Sequence, residues 1–475
     1  MHFNTLQHLQ QELVAGRVSC VQIVESYLEN IRNNKHLNAF LEVFEAEALA
    51  NANQVDKKVQ NKNQGKLAGL VIGLKDNISY TGHAVSSSSK ILEGYTSVYN
   101  ATVVDRLLDE DAIIIGRLNC DEFAMGASNE NSAYGPVLNA QDNSRVPGGS
   151  SGGSAVAVQA NLCRVALGSD TGGSIRQPSS FTGTFGMKPT YGRVSRWGLL
   201  AYASSFDQIG PVTSSVEDMA AVLEVIAGPD ENDATVSETA VPAYSKNLKS
   251  SGKKRIAVFE DCLTADGLAP EIKTHLNQAI DALKADGNEV EMVSFPYLDY
   301  MVPCYYVLTT AEASSNLSRY SGLLYGHRST EAHDLESTFI QSRTEGFGPE
   351  VKRRIMAGTF VLSSDYYDAY YTKAQKVRRI IQQETEKILK DFDFILLPTT
   401  PTEAFKLGEK ANDPIAMYLA DIFTVQAPLA GIPAISLPTG TMDSGMPFGL
   451  QLMANHYEEQ DLLNMSKYLF ELMED

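Results

Sequence analysis

Between Arg145 and Arg176 the chain reads RVPGGSSGGSAVAVQANLCRVALGSDTGGSIR. Two glycine–serine clusters, Gly148-Gly149-Ser150-Ser151-Gly152-Gly153-Ser154 and Gly172-Gly173-Ser174, flank a segment, 164–168, that reads as buried. Glycine opens positive φ and lets another group approach with no Cβ in the way. Two such loops, each presenting serine hydroxyls and free backbone N–H groups, can make a nucleophile site with an oxyanion hole.

The rest of the chain has to fold around that pair. Its 475 residues would accommodate two or three domains by length alone. No internal repeat and no convincing linker divides them, so a single α/β domain spanning 1–475 is expected: a mixed β-sheet covered by helices on both faces. The N-terminal residues, about 1–62, read as helices. Ser19 with Gln22 fits a capping box, and Val21, Val24, Leu28 and Ile31 follow at helical spacing. A further helix is expected over 42–60. These helices either pack on the sheet or offer a surface to a partner. An apolar run from Leu67 reaches strand length and ends in Lys75, unusual because lysine is rarely buried without a partner. Helix at 102–108 and strand at 112–116 follow, then a Gly/Asn/Ser-rich run to Asn143. Residues 187–203 look loop-like, 215–226 helical, and 228–251 a polar surface excursion. Strands are expected at 256–259 and 290–293 around a helix at 271–285. A long helix after Ser364 places Tyr366, Tyr370, Ala374, Val377 and Ile381 on one face. A strand at 394–397 ends at Pro398, Asp413-Pro414 starts a helix, 447–452 is a strand and 462–472 a closing amphipathic helix.

Composition narrows the function classes. The 39 Lys and Arg against 58 Asp and Glu give a net charge of −19, which argues against this chain gripping nucleic acid by itself. No apolar run approaches the ~18–20 residues of a membrane span. The opening residues MHFNTLQHLQQEL lack the charged-then-apolar order of a signal peptide. Five scattered cysteines show no metal-like spacing and suit a reducing cytoplasm.

Gly149-Ser150-Ser151-Gly152-Gly153 also satisfies G-x-S-x-G, the nucleophile elbow of serine hydrolases with a histidine base. That pattern is short, and the downstream histidines His275, His327, His333 and His456 sit in polar, helix-like or loop-like contexts. A phosphate-cradling loop is weaker, because no Gly-Lys-Ser/Thr follows the glycines. A neutral lysine is the other available base. Its ordinary pKa is near ~10.4, and burial lowers it. Lys75, at the end of an apolar strand, is the best-placed candidate, and a second hydroxyl can relay the proton. The residues thus favour a Ser-Ser-Lys acyl-transfer site over the other two readings without closing them off.

At these positions the chain resembles the amidase signature family. Pro147 through Ala155, and Gly168-Ser-Asp-Thr-Gly-Gly-Ser-Ile-Arg176, stand as that family's signature requires, and the Lys75–Ser150–Ser174 intervals match its pattern. The resemblance implies that Ser174 is the acylated nucleophile, Ser150 a bridging serine held by a cis peptide to Gly149, and Lys75 the base. It also implies an oxyanion hole from the N–H groups of Thr171, Gly172, Gly173 and Ser174, with Asp170 and Arg176 bracing the loop.

Further motifs, 121–126, 130–136, 188–195, 204–211, 345–348, 351–355 and 366–371, are similar to one branch of the family, the glutamine-hydrolysing subunits of tRNA-dependent amidotransferases. That branch implies glutamine as substrate, with Arg354 taking its α-carboxylate, Asp421 its α-amine, and Tyr305 lining the pocket. It implies a heterotrimer: a larger B subunit that holds tRNA and ATP-Mg, and a small C subunit that wraps this chain, which itself needs no metal or other cofactor. Ser86-Ser-Ser-Ser-Lys90 departs from the branch, where a cysteine-containing run is usual, and the chain stops soon after Leu472, somewhat short for the family. The alternatives are a free-standing amidase acting on small amides and an inactive scaffold; Lys75, Ser150 and Ser174 are all present, which tells against the scaffold.

Overall fold

The structure, a computed structural model, describes residues 3–250, 253–265, 267–410 and 413–474. Eleven strands among them form one mixed sheet. In chain order they are β1 (Phe40–Val43), β2 (Val71–Lys75), β3 (Ile113–Leu118), β4 (Val165–Asp170), β5 (Phe185–Lys188), β6 (Gln208–Thr213), β7 (Arg255–Phe259), β8 (Glu289–Val293), β9 (Phe394–Pro398), β10 (Ala434–Thr441) and β11 (Pro447–Met453). Across the sheet they run β1-β3-β2-β4-β6-β5-β10-β11-β9-β7-β8. β2 is parallel to both β3 and β4, and β7 to β8 and β9. The remaining pairings are antiparallel.

Period-two alternation assigns the faces. Ile256, Val258, Leu396, Ile435, Leu450 and Leu452 enter one hydrophobic core, together with the helices Cys20–Asn33, Thr102–Asp109, Val216–Ile226, Pro270–Ala285 and Glu459–Glu474. Their neighbours Ala257, Phe259, Ile395, Leu397, Ala434 and Met453 enter a second core, built with Leu298–Asn316, Pro349–Val361 and Lys373–Asp391. Both faces of the sheet are therefore covered, as the alternating sequence pattern anticipates.

Most expected elements are present. Ser19 and Gln22 form a complete capping box on Cys20–Asn33. Asp413 accepts from the N–H of Ala416 at the start of Pro414–Leu419. Three expectations need correction. Residues 42–60 are not all helix: Phe40–Val43 is an edge strand on β3, and the helix begins at Glu45. The loop-like span 187–203 opens inside β5, whose residues pair with β6 and β10. The long helix after Ser364 does not present one continuous face. A π-helical turn, Asp368–Thr372, precedes the α-helix Lys373–Asp391. The wider turn shifts the register, leaving Tyr366 and Tyr370 exposed while Ala374 and Ile381 are buried. All five cysteines are free and buried. Among the described residues, no helix is long and apolar enough to cross a membrane.

What matters for chemistry is the centre of the sheet. β2 and β4 lie side by side and parallel, with Leu74 opposite Leu167, so Lys75 and the residues following Gly168 leave the sheet at the same edge. Loops at the carboxyl ends of parallel strands are where α/β proteins place ligands.

Candidate active site

Lys75 is fully buried, and the groups around its amine explain how a lysine is tolerated there. Nζ lies 2.7 Å from Ser150 Oγ, 2.9 Å from Ser151 Oγ, and 3.0 Å from Ser169 Oγ. Burial pushes its pKa down to about 8, with the charges of Asp121, Asp170 and Asp207 opposing the shift. Ser151 Oγ donates to the carbonyl of Ser169 (3.1 Å), and Ser169 Oγ accepts from Asn77 Nδ2 (2.9 Å). Nothing in the sequence singles out Ser169 or Asn77, and only its adjacency to Ser150 hints at Ser151.

The two glycine–serine clusters meet directly. The Gly149–Ser150 peptide is cis, as the resemblance implied. The N–H of Ser151 donates to the carbonyl of Ser174 (3.0 Å), and the N–H of Asp121 to that of Ser150 (3.1 Å). The Ser174 loop is braced by a buried ion pair. Arg176 Nε and Nη2 reach the two carboxylate oxygens of Asp170 at 3.1 and 3.0 Å. Those oxygens also accept the N–H groups of Gly173 (2.8 Å) and Ile175 (3.2 Å). Asp170 and Arg176 thus brace the loop.

Gly173 adopts φ 135°, and its N–H is already engaged by Asp170. The N–H groups of Thr171, Gly172 and Ser174 make no hydrogen bond among the described residues. Unpaired backbone donors grouped in one loop are the kind of groups that can receive an oxyanion. Two glycines here are sterically required. A Cβ on Gly172 would lie 2.5 Å from the Tyr305 ring, and one on Gly173 2.2 Å from Thr424 Oγ1. Ser174 is 8% exposed while Ser150 and Lys75 are at 0%, so Ser174 is the one member of the three that reaches the surface. Its Oγ makes no hydrogen bond among the described residues, whereas Lys75 and Ser150 are directly bonded.

Histidine does not serve this loop. His327 bonds Glu345, His333 the carbonyl of Glu331, and His456 the carbonyl of Ala430, while His275 packs edge-on against Phe448.

Tyr305, Arg354 and Asp421 are all buried in one wall beside this loop. Tyr305, on Leu298–Asn316, packs its ring over Gly172. Arg354, on Pro349–Val361, donates through Nε to Glu350 Oε1 (2.8 Å) and through Nη1 to Tyr202 Oη (2.9 Å). The rings of Tyr202, Tyr306 and Tyr418 surround its guanidinium at 5.6, 5.2 and 5.7 Å. Asp421 accepts from Tyr306 Oη (3.2 Å), and burial pushes its carboxyl up to about 7 against the pull of Arg354. Thr424 Oγ1 bonds the carbonyls of both Gly172 (2.6 Å) and Asp421 (3.1 Å), joining this wall to the nucleophile loop. A cavity of about 270 Å³, lined by Ser128, Glu350, Arg353, Arg354, Lys410 and Tyr418, opens the arginine to the outside. That is close to the lower limit, roughly 300 Å³, of small-molecule pockets. Glu350, one helical turn before Arg354, was readable as an i,i+4 pair; Tyr202, Tyr306 and Tyr418 carried no local signal.

A buried lysine bonded to one serine, a second serine that reaches the surface and three unpaired N–H groups are the components that Ser-Ser-Lys amide cleavage requires. The family model described as Amidase matches residues 22–463, and the chain belongs to that family. The glutamyl-tRNA(Gln) amidotransferase A subunit of Chlorobium luteolum is 50% identical over 99% of this chain and 97% of its own length. Among solved structures, the protein of that same name from Thermotoga maritima is 39% identical, covers 97% of this chain and 93% of its own, and superposes with a TM-score of 0.80. The native peptide amidase of Stenotrophomonas maltophilia is 29% identical, covers 99% and 97%, and has a TM-score of 0.81. The fold is thus shared across the family, while sequence similarity is concentrated toward the amidotransferase subunits.

Proposed function

We propose that this chain is the glutamine-hydrolysing subunit of a tRNA-dependent amidotransferase. One observation carries the assignment of substrate. A buried arginine and a buried carboxylate, Arg354 and Asp421, stand in a single wall that Thr424 and Tyr305 join to the nucleophile loop. An amino acid carries one anion and one cation on its α-carbon, and this pair matches them. A simple amide has neither.

Glutamine binds with its α-carboxylate on Arg354 and its α-ammonium on Asp421. Its side-chain amide then lies under Tyr305 against the Ser174 loop. Neutral Lys75 takes the proton of Ser150, Ser150 takes that of Ser174, and Ser174 Oγ attacks the amide carbon. The N–H groups of Thr171, Gly172 and Ser174 receive the oxyanion. As the tetrahedral intermediate collapses, the proton returns through Ser150 to the departing nitrogen and ammonia leaves. Water, activated by the same relay, cleaves the γ-glutamyl ester and releases glutamate.

The ammonia passes to a larger B subunit, where ATP and Mg activate the glutamyl group of Glu-tRNA(Gln) or the aspartyl group of Asp-tRNA(Asn). A small C subunit completes a cytoplasmic heterotrimer. The net charge of −19 fits this division, with tRNA held mainly by the partner. The test is a tagged purification from the source cell, assayed for glutamine hydrolysis with and without ATP and Glu-tRNA. Two co-purifying subunits, with ammonia release that rises on adding ATP and charged tRNA, are expected. A chain that comes out alone and cleaves simple amides regardless of tRNA would make it a free-standing amidase.

A further inference from the structure

Asp207 takes no part in the relay, yet its buried carboxylate accepts three hydrogen bonds. Oδ1 accepts from Thr171 Oγ1 at 2.7 Å. Oδ2 accepts from the N–H groups of Tyr202 (2.9 Å) and Ala203 (3.0 Å). Asp207 immediately precedes β6, whose first residue, Gln208, is in register with Asp170 at the end of β4. It therefore sits where the sheet hands over to the oxyanion loop. The turn it closes is tight: the N–H groups of Phe206 and Asp207 both donate to the carbonyl of Ala203 at 2.9 Å.

From that turn the Tyr202 side chain extends to Arg354 and Thr309. Its hydroxyl accepts from Arg354 Nη1 and donates to Thr309 Oγ1, each at 2.9 Å. Thr309 lies one helical turn after Tyr305 and donates to its carbonyl (2.9 Å), and the Tyr305 ring packs on Gly172. Two paths thus leave Tyr202 and return to the nucleophile loop, one through Asp207 and Thr171, the other through Thr309 and Tyr305. All of these groups are buried.

We propose that Asp207 is a positioning residue that fixes the oxyanion loop relative to the carboxylate anchor, setting the distance between the two ends of the bound glutamine. The proposal rests on the glutamine reading above. The amide and the α-carboxylate of glutamine are a fixed number of bonds apart, and displacement of a reacting group by about 1 Å costs on the order of 10²-fold. A strut between the two contact points is worth more than either contact alone.

The test uses the assembled amidotransferase, with glutamine as the probe and steady-state ammonia release as the readout. Thr171→Val cuts only the oxyanion arm and keeps the backbone N–H; kcat is expected to fall roughly tenfold with KM nearly unchanged. Tyr202→Phe removes the hydroxyl that holds Arg354 and Thr309 but keeps the backbone N–H that Asp207 accepts; KM is expected to rise roughly tenfold, with a smaller change in kcat. Asp207→Asn, close in shape, is expected to move both. In the Asp207→Asn background the two single changes should become additive, whereas in the native background they should be coupled. Losses in all three variants that track their melting temperatures, with no split between KM and kcat, would reduce Asp207 to a loop staple and overturn the proposal. So would full additivity in the native background, which the two mild variants report even if Asp207→Asn fails to fold. A native complex that releases no ammonia from glutamine would instead overturn the substrate assignment itself.

Discussion

The Ser174 loop and the Arg354 helix, given the two ends of one substrate in the proposed function, are held in different ways. The loop is fixed through its backbone: glycines that admit Tyr305 and Thr424, and one buried carboxylate that takes two of its amides. The helix presents a long, flexible side chain that is immobilised by Glu350 of the same helix and, from other elements, by the Tyr202 hydroxyl and the rings of Tyr202, Tyr306 and Tyr418. Backbone donors need no reorganisation when charge develops on the substrate, so they suit the transition state. A guanidinium braced by aromatic faces suits a carboxylate that is present throughout. Damage to the first region should therefore appear in kcat, and damage to the second in KM.

The largest expected effect is in the first region. Ser174→Ala should lower glutamine-dependent ammonia release by more than about 10⁴-fold. Amidation driven by added ammonium salt should survive, because only the ammonia source is lost. Glutamine turnover that persists in this variant would move the nucleophile elsewhere.

Lys75→Arg comes next, with a loss on the order of 10³-fold at every pH. Arginine cannot become neutral and so cannot act as the base. The native enzyme makes the same point through its pH profile. Lys75, lowered to about 8 by burial, must be neutral to accept a proton, so kcat should rise with pH and level off above about 8. A kcat that is flat from pH 6 to 9 would exclude this lysine as the base.

The ease of reading the two regions from sequence follows the same divide. The catalytic loops are local: the glycines, serines and Arg176 lie within one continuous stretch, and Lys75 announces itself as a charge on a buried strand. The alternation of strands and helices likewise exposed the α/β class. Long-range packing did not show. The π-helical turn 368–372 breaks a face that looked continuous, and the edge strand β1 is too short to stand out from the helix after it. The hydrogen bond from the N–H of Gly173 to Asp170 is likewise a contact that no spacing reveals. The anchor wall was harder still. Arg354, Asp421 and Tyr305 come from three separate elements, and only resemblance to known sequences connected them; the tyrosines around Arg354 stayed invisible.

In that second region, Arg354→Lys and Asp421→Asn should each raise KM for glutamine by roughly 10²-fold while kcat changes only a few-fold. Asp421 adds a pH signature. Burial places its carboxyl near about 7, and it must be ionised to hold the α-ammonium. KM should therefore rise as pH falls below about 7, and Asp421→Asn should flatten that dependence. Should kcat fall and KM stay constant instead, the region would be acting on the chemistry and the contrast with the loop would fail.

The smallest expected effect tests how the base is aimed. A neutral lysine amine has two N–H groups and one lone pair. Ser151 Oγ spends its own proton on the carbonyl of Ser169, so toward Lys75 it acts as an acceptor. Ser169 Oγ, already accepting from Asn77, lies 3.0 Å away on another side of the amine. With these two taking the N–H groups, the lone pair is left for Ser150, the shortest contact at 2.7 Å. Ser151→Ala removes one acceptor, worth about 1 kcal/mol, so kcat should fall roughly five- to tenfold. The ammonium form, with three donors to satisfy, loses more from that change than the neutral amine does. Its pKa should drop further, and the acid limb of kcat should move below about 8. A limb that moves upward would mean that Ser151 donates to the amine, and an unmoved limb that it does not touch the base at all.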